Sequence, residues 1–169
     1  MGLALFGTVS VNLSGLAAMK PSRQSLNRVH RCLGFVWACS RWMTRSEENG
    51  GVDCLDLGCM GQVARFPRDH RDASGVKLKV PHMGWNRVKQ SATHPMWNNI
   101  EDDAYFYFVH SFYVPSGECD SVAGTFDYGL EGAAAVADAN VFATQFHPEK
   151  SHDNGVKLLS NFLDWDGSC

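Results

Sequence analysis

At 169 residues, 44% of them apolar, and a formal charge of −3, the chain is long enough for one domain with a real core, and its charge argues against nucleic acid as a general partner. No apolar run approaches the roughly 20 residues of a membrane-spanning helix. The six cysteines, Cys32, Cys39, Cys54, Cys59, Cys119 and Cys169, contain no Cys-x-x-Cys pair and no zinc-like histidine spacing, which argues against a metal and fits free thiols in a reducing cytoplasm.

Taken in order, residues 1–44 contain no Asp or Glu, while Lys20, Arg23, Arg28, Arg31 and Arg41 make them positive. That composition suits a transit peptide, which is Arg- and Ser-rich and poor in acids, or a stretch that is not coherent protein sequence. From Arg45 the pattern becomes that of a strand-rich α/β domain. Ser46-Glu47-Glu48-Asn49-Gly50-Gly51 reads as a polar loop, and Gly58-Cys59-Met60-Gly61-Gln62 as a turn before a strand over residues 63–66. Residues 68–79 read as a surface loop, with residues 77–80 leading a short strand into Pro81-His82-Met83-Gly84-Trp85-Asn86. His82 and Trp85 each have an ordinary reading, an imidazole satisfied by nearby backbone and an indole packed in the core.

Residues 104–114 form the strongest strand signal, with aromatics on both faces that suit burial on both sides. Strands follow around residues 121–127 and 133–137, with turns at Tyr128-Gly129 and Asp138-Ala139-Asn140. After Ser151, Asp153-Asn154-Gly155 offers a cap, and Val156, Leu159, Phe162 and Leu163 recur at helical spacing, which predicts a closing amphipathic helix.

The stretch Val141-Phe142-Ala143-Thr144-Gln145-Phe146-His147-Pro148-Glu149-Lys150-Ser151 carries the chemistry. Its apolar start favours a strand, and Pro148 turns His147 away from helix, so His147 and Glu149 sit where the strand ends. A carboxylate that accepts from one ring nitrogen selects the tautomer whose other nitrogen is a base. His147 and Glu149 are therefore two thirds of a hydrolytic triad.

This stretch resembles the triad strand of class I glutamine amidotransferases, and more narrowly their branch that serves imidazole glycerol phosphate synthase. Pro81-His82-Met83-Gly84-Trp85-Asn86, Tyr107-Phe108-Val109-His110-Ser111, Thr125-Phe126-Asp127-Tyr128-Gly129 and Asn161-Phe162-Leu163-Asp164-Trp165-Asp166-Gly167 agree with it in order and spacing, over about residues 45–167. The resemblance implies an α/β, flavodoxin-like three-layer fold, incomplete in its N-terminal half, and hydrolysis of glutamine through a cysteinyl thioester. It implies passage of the ammonia to a barrel-shaped cyclase subunit, with no metal or other cofactor. It assigns His147 and Glu149 to catalysis, and Glu48, His110, Ser111 and Phe112 to glutamine, although Phe112 stands where Tyr is common. It places His82, Trp85 and Lys150 toward the cyclase.

The family's nucleophile motif, Gly-Ile-Cys-Leu-Gly-Met-Gln, is not present in frame; its place reads Gly34-Phe35-Val36-Trp37-Ala38-Cys39-Ser40. Back-translation shifted by one base permits the missing motif throughout, so residues 1–44 are expected to be a family gene read out of frame, ahead of an amidotransferase segment over residues 45–169. Neither Cys39 nor Cys59 has the flanking glycine pattern of a strand-to-helix elbow. Two functions of different classes follow: a glutaminase subunit of histidine biosynthesis, or an inactive, binding-only polypeptide.

Overall fold

In the computed structural model the described residues are 32–35, 43–46 and 59–168, with side chains from Gln62 to Ser168. Nine strands lie among them: β1 (Cys32–Phe35), β2 (Met43–Ser46), β3 (Cys59–Arg65), β4 (His82–Gln90), β5 (Ala104–His110), β6 (Phe112–Tyr113), β7 (Val122–Asp127), β8 (Glu131–Asp138) and β9 (Val141–Thr144). One α-helix, α1 (His152–Asp164), follows them. Six strands form one sheet in the order β1-β9-β8-β7-β4-β5, and β2-β3-β6 form a second. Within the large sheet only β1 and β9 are parallel; the other neighbours are antiparallel, and short turns at residues 128–130 and 139–140 join β7 to β8 and β8 to β9.

β9 is buried along its whole length, and β8 is buried from Gly132 to Val136. One side of this pair joins a core of Phe106, Phe108, Phe126, Phe142, Phe146, Trp97 and Leu158, and the other joins Val63, Val114, Cys119, Ala133, Val136 and Val141. Each fully buried Phe contributes about 1.5–3 kcal/mol relative to exposure. These aromatic rings fix β5 against β9 and so fix the segment that follows β9.

Four expectations change. The aromatic run over residues 104–114 is not one strand: β5 pairs with β4, whereas Phe112 and Tyr113 pair with Arg65 and Ala64 of β3, so the chain crosses between sheets at Ser111. Nor is it buried on both faces, because Phe106, Phe108 and His110 point inward while Tyr105 is exposed. Residues 77–80 make only a bridge from Lys77 to Arg71, and the strand begins at His82, beyond Pro81, which has no N–H to donate. Cys59 opens β3 instead of lying in a turn, paired in parallel with β2.

The helix is present, but turned. Gly155, Leu158, Phe162 and Trp165 face the core, while Val156 and Leu163 are exposed. Its N-cap residue is Ser151, ahead of the Asp153-Asn154-Gly155 cap read from the sequence. The rotation is set by Gly155: a Cβ there would sit 1.8 Å from the Pro148 carbonyl oxygen, so the helix reaches the preceding turn only through a residue without one.

Candidate active site

β5 is an edge strand of the large sheet, and its free backbone groups are taken up by the turn after β9 in place of another strand. The N–H of His147 donates to the Tyr107 carbonyl at 2.8 Å, and the N–H of Tyr107 donates to Ser151 Oγ at 3.0 Å. Ser151 Oγ donates in turn to the His147 carbonyl at 2.6 Å. Residues Pro148–Lys150 close a 3-10 turn between these anchors, with Pro148 at its first position. Both ends of the segment that carries the two titratable side chains are thus fastened to one residue of β5.

Within the turn, His147 Nδ1 lies 2.7 Å from Glu149 Oε1. An ionised carboxylate only accepts, so the proton of neutral His147 sits on Nδ1 and Nε2 holds the lone pair. The His147 side chain is 14% exposed and that of Glu149 53%. The pair therefore opens to solvent on the carboxylate side, while the imidazole is sheltered. This arrangement can take a proton from a nucleophile, hold the imidazolium, and return the proton to a leaving group.

β1 adds a topological element. Its parallel register sets Phe35 beside Thr144, so the chain leaves β1 and β9 at the same edge of the sheet, three residues before His147 along β9's continuation. In α/β sheets reactive groups gather at the carboxyl ends of parallel strands.

The other site residues divide. His110 is buried, with Nδ1 donating to the Phe112 carbonyl at 2.8 Å and Nε2 at 2.8 Å from His82 Nδ1. Burial pushes its pKa down to about 4, opposed by the hydrogen bond to the Phe112 carbonyl, which favours the charged ring, and aided to a smaller degree by His147. Ser111 and Phe112 are half-buried at the crossing between sheets, where the Ser111 carbonyl accepts from Phe66 N–H at 3.2 Å and the Arg65 guanidinium lies over the Phe112 ring. Trp85 and Lys150 are exposed, and the Trp85 indole lies flat against His152, the first residue of α1. His82, by contrast, is 3% exposed, stacked between Phe108 and Tyr128. That corrects its expected place on a partner surface: it sits on the inward face of β4, opposite His110 in the strand register. Glu48 and residues 36–40 lie outside the described residues.

A sequence model for glutamine amidotransferase class-I matches residues 48–165. The chain belongs to the class-I glutamine amidotransferase family. As an amidotransferase it is 52% identical over 135 residues to imidazole glycerol phosphate synthase subunit HisH 1 of Pseudomonas aeruginosa, covering 80% of this chain and 62% of that protein. It is 49% identical over 144 residues to HisH of Pseudomonas syringae, covering 85% and 67%. With HisH of Acinetobacter baylyi the identity is 54% over 122 residues, covering 72% and 56%. The chain thus spans about three fifths of the length of most of the curated relatives it matches. The match over 144 residues is longer than residues 45–169, so likeness reaches upstream of the start that the motifs gave it. Among solved structures, a protein named as a GMP synthase subunit, from Thermoplasma acidophilum, shares the fold at 14% identity and a TM-score of 0.54, covering 84% of this chain and 60% of that one.

Among the described residues of this amidotransferase, no cluster of three or more His, Cys, Asp or Glu side chains could hold a metal ion. No helix there is long and apolar enough to cross a membrane. The one cysteine with a described side chain, Cys119, is buried in the core cluster with Val63 and Val114. Sequence reasoning gave no role to Ser151 or to the backbone of Tyr107. The period-two spacing of His82 and Asn86, which puts both on one face of a strand, was the available signal for a third group of residues.

Proposed function

We propose that the chain is the glutamine-hydrolysing subunit of imidazole glycerol phosphate synthase, working in the cytoplasm in histidine biosynthesis and passing ammonia to a barrel-shaped cyclase subunit. The names of the relatives support this reading, and one observation carries it: the His147–Glu149 contact of 2.7 Å on a turn fastened at both ends to β5. His147 Nε2 takes the proton of a cysteine thiol, and the thiolate attacks the side-chain amide carbon of glutamine. The tetrahedral oxyanion collapses as the imidazolium returns its proton to the departing ammonia. Water then attacks the thioester, with His147 again the base, releasing glutamate. Glu149 holds the ring and balances its charge throughout. Backbone groups at residues 110–112, with Glu48, hold the substrate's amino-acid end, while Trp85 and Lys150 face the cyclase. The complete architecture under this reading is a flavodoxin-like three-layer sandwich, to which residues 45–169 give the C-terminal part.

A second reading, an inactive or binding-only chain, is favoured by one observation: residues 34–40 carry no glycine-flanked cysteine in frame. We propose that the frame is shifted within residues 1–44, across the nucleophile motif, while the likeness over 144 residues requires part of that stretch to be in frame. The support for the shift is that residues 34–40, read one base over, permit Gly-Ile-Cys-Leu-Gly-Met-Gln throughout. Two measurements test the pair of readings. The coding DNA, read one base over, should yield Gly-Ile-Cys-Leu-Gly-Met-Gln joined to Ser46-Glu47-Glu48; its absence in every frame refutes the shift. Glutamate release with the purified cyclase present, from the chain as given, decides between an active and a silent subunit.

A further inference from the structure

Behind the turn lies a cluster of buried imidazoles, His70, His82 and His110, packed with Phe66, Phe108, Phe126 and Tyr128. The hydrogen bonds through two of them have a single consistent proton assignment. The Phe112 carbonyl can only accept, so His110 Nδ1 carries hydrogen. Neutral His110 then presents a lone pair at Nε2, and His82 Nδ1, 2.8 Å away, must be the donor. His82 Nε2 is left as an acceptor and faces Asn86 Nδ2 at 3.4 Å. The other hydrogen of that amide goes to the Asp127 carbonyl at 2.8 Å, which fixes which way the amide points. Hydrogens therefore run in one direction, from Asn86 through His82 and His110 to Phe112.

The line tolerates no extra proton. A hydrogen added at His82 Nε2 would meet the Asn86 N–H, and one added at His110 Nε2 would meet the His82 N–H. Burial acts the same way on both rings, lowering His82 to about 3 and His110 to about 4. Stacking of His82 on Tyr128, at 3.9 Å between centroids and 19°, holds its plane. The line ends at Phe112, where the chain crosses between sheets and where the Ser111 carbonyl is held by the Phe66 N–H at 3.2 Å.

We infer that His82 and Asn86 are positioning residues for glutamine, acting through the tautomer of His110 to hold the Ser111–Phe112 backbone in the conformation that receives the substrate carboxylate. This rests on the functional reading above, which puts that carboxylate at residues 110–112. It also gives a chemical role to two residues of the Pro-His-Met-Gly-Trp-Asn stretch that face inward instead of toward a partner.

The test uses the full chain labelled with 15N-histidine. Two-bond proton–nitrogen spectra report ring tautomers, and calorimetric titration with L-glutamine reports affinity. In the parent, both His82 and His110 should show the Nδ1–H form. His82→Asn places an amide donor near the former Nδ1, and should keep the His110 tautomer and a glutamine Kd within about twofold of the parent. His82→Leu and the milder Asn86→Ala should mix the His110 tautomers and weaken glutamine about tenfold, as the loss of a buried hydrogen bond does. Should His82→Leu not fold, Asn86→Ala carries the comparison alone. Unchanged affinity in these variants beside a parent that binds glutamine, or an Nε2–H His110 in the parent, overturns the positioning role. A parent that gives a flat glutamine titration overturns the functional reading along with it, and is told apart because no variant is needed to see it.

Discussion

Gly155→Ala tests how the catalytic turn is held. The new Cβ would lie 1.8 Å from the Pro148 oxygen, about 1.6 Å inside the 3.4 Å at which ordinary contact begins, and 2.8 Å from the Pro148 carbonyl carbon. Those are backbone atoms, so no side-chain rotation relieves the clash. Either α1 lifts from the core at Leu158 and Phe162, or the Pro148 carbonyl moves and releases the Ser151 N–H that it accepts at 3.0 Å. Overpacking of this kind costs about 1–3 kcal/mol. For a chain of this length that is a fall in Tm of roughly 2–12 °C. Gly117→Ala, where nothing lies within 4 Å, is the control and should leave Tm unchanged. The assay is thermal unfolding followed by circular dichroism, with the His147 ring signal as a local reporter. Equal Tm for both variants, with the His147 signal unmoved, would refute the claim that α1 seats the turn through Gly155.

Three further outcomes follow from the same geometry. Ser151→Ala strands the Tyr107 N–H and frees the His147 carbonyl, and should cost about 1–3 kcal/mol in denaturant unfolding, whereas Ser160→Ala, on the exposed side of α1, should cost under about 0.5. His82 and His110 have folded pKa values near 3 and 4, below the ordinary 6.5, so the unfolded chain binds more protons below neutrality. Their stability contribution is whole above pH 6.5 and declines as pH falls toward 4, by at most about 1.4 kcal/mol per pH unit for each ring; unfolding free energies that stay flat between pH 7 and 5 would contradict the neutral assignment. Lys150→Ala should weaken the cyclase's stimulation of glutamine hydrolysis more than the basal rate, read as the ratio of the two rates.

What the sequence made legible was local. His147 and Glu149 stand two residues apart around a proline, so their pairing at 2.7 Å could be read locally, although Tyr107 of β5 fastens the turn. The His82–His110 contact joins residues 28 apart, and only the β4–β5 register brings them opposite each other. Residues 104–114 read as one strand because the aromatic run resumes directly after His110-Ser111; the change of partner from β4 to β3 leaves no mark on composition. The helix read as one stripe of Val156, Leu159, Phe162 and Leu163, whereas Leu158 and Phe162 are buried and Val156 and Leu163 are exposed. The close approach of Gly155 to the Pro148 carbonyl, which periodicity does not encode, turns the Gly155–Leu158–Phe162 side inward.

The most direct test of the central claim is glutamate release from glutamine, with the cyclase subunit present, by the frame-restored protein and its His147→Ala form. The parent should turn over and the variant should show nothing above background, because Nε2 of His147 is the base for both acylation and hydrolysis. Equal rates from the two proteins would contradict it.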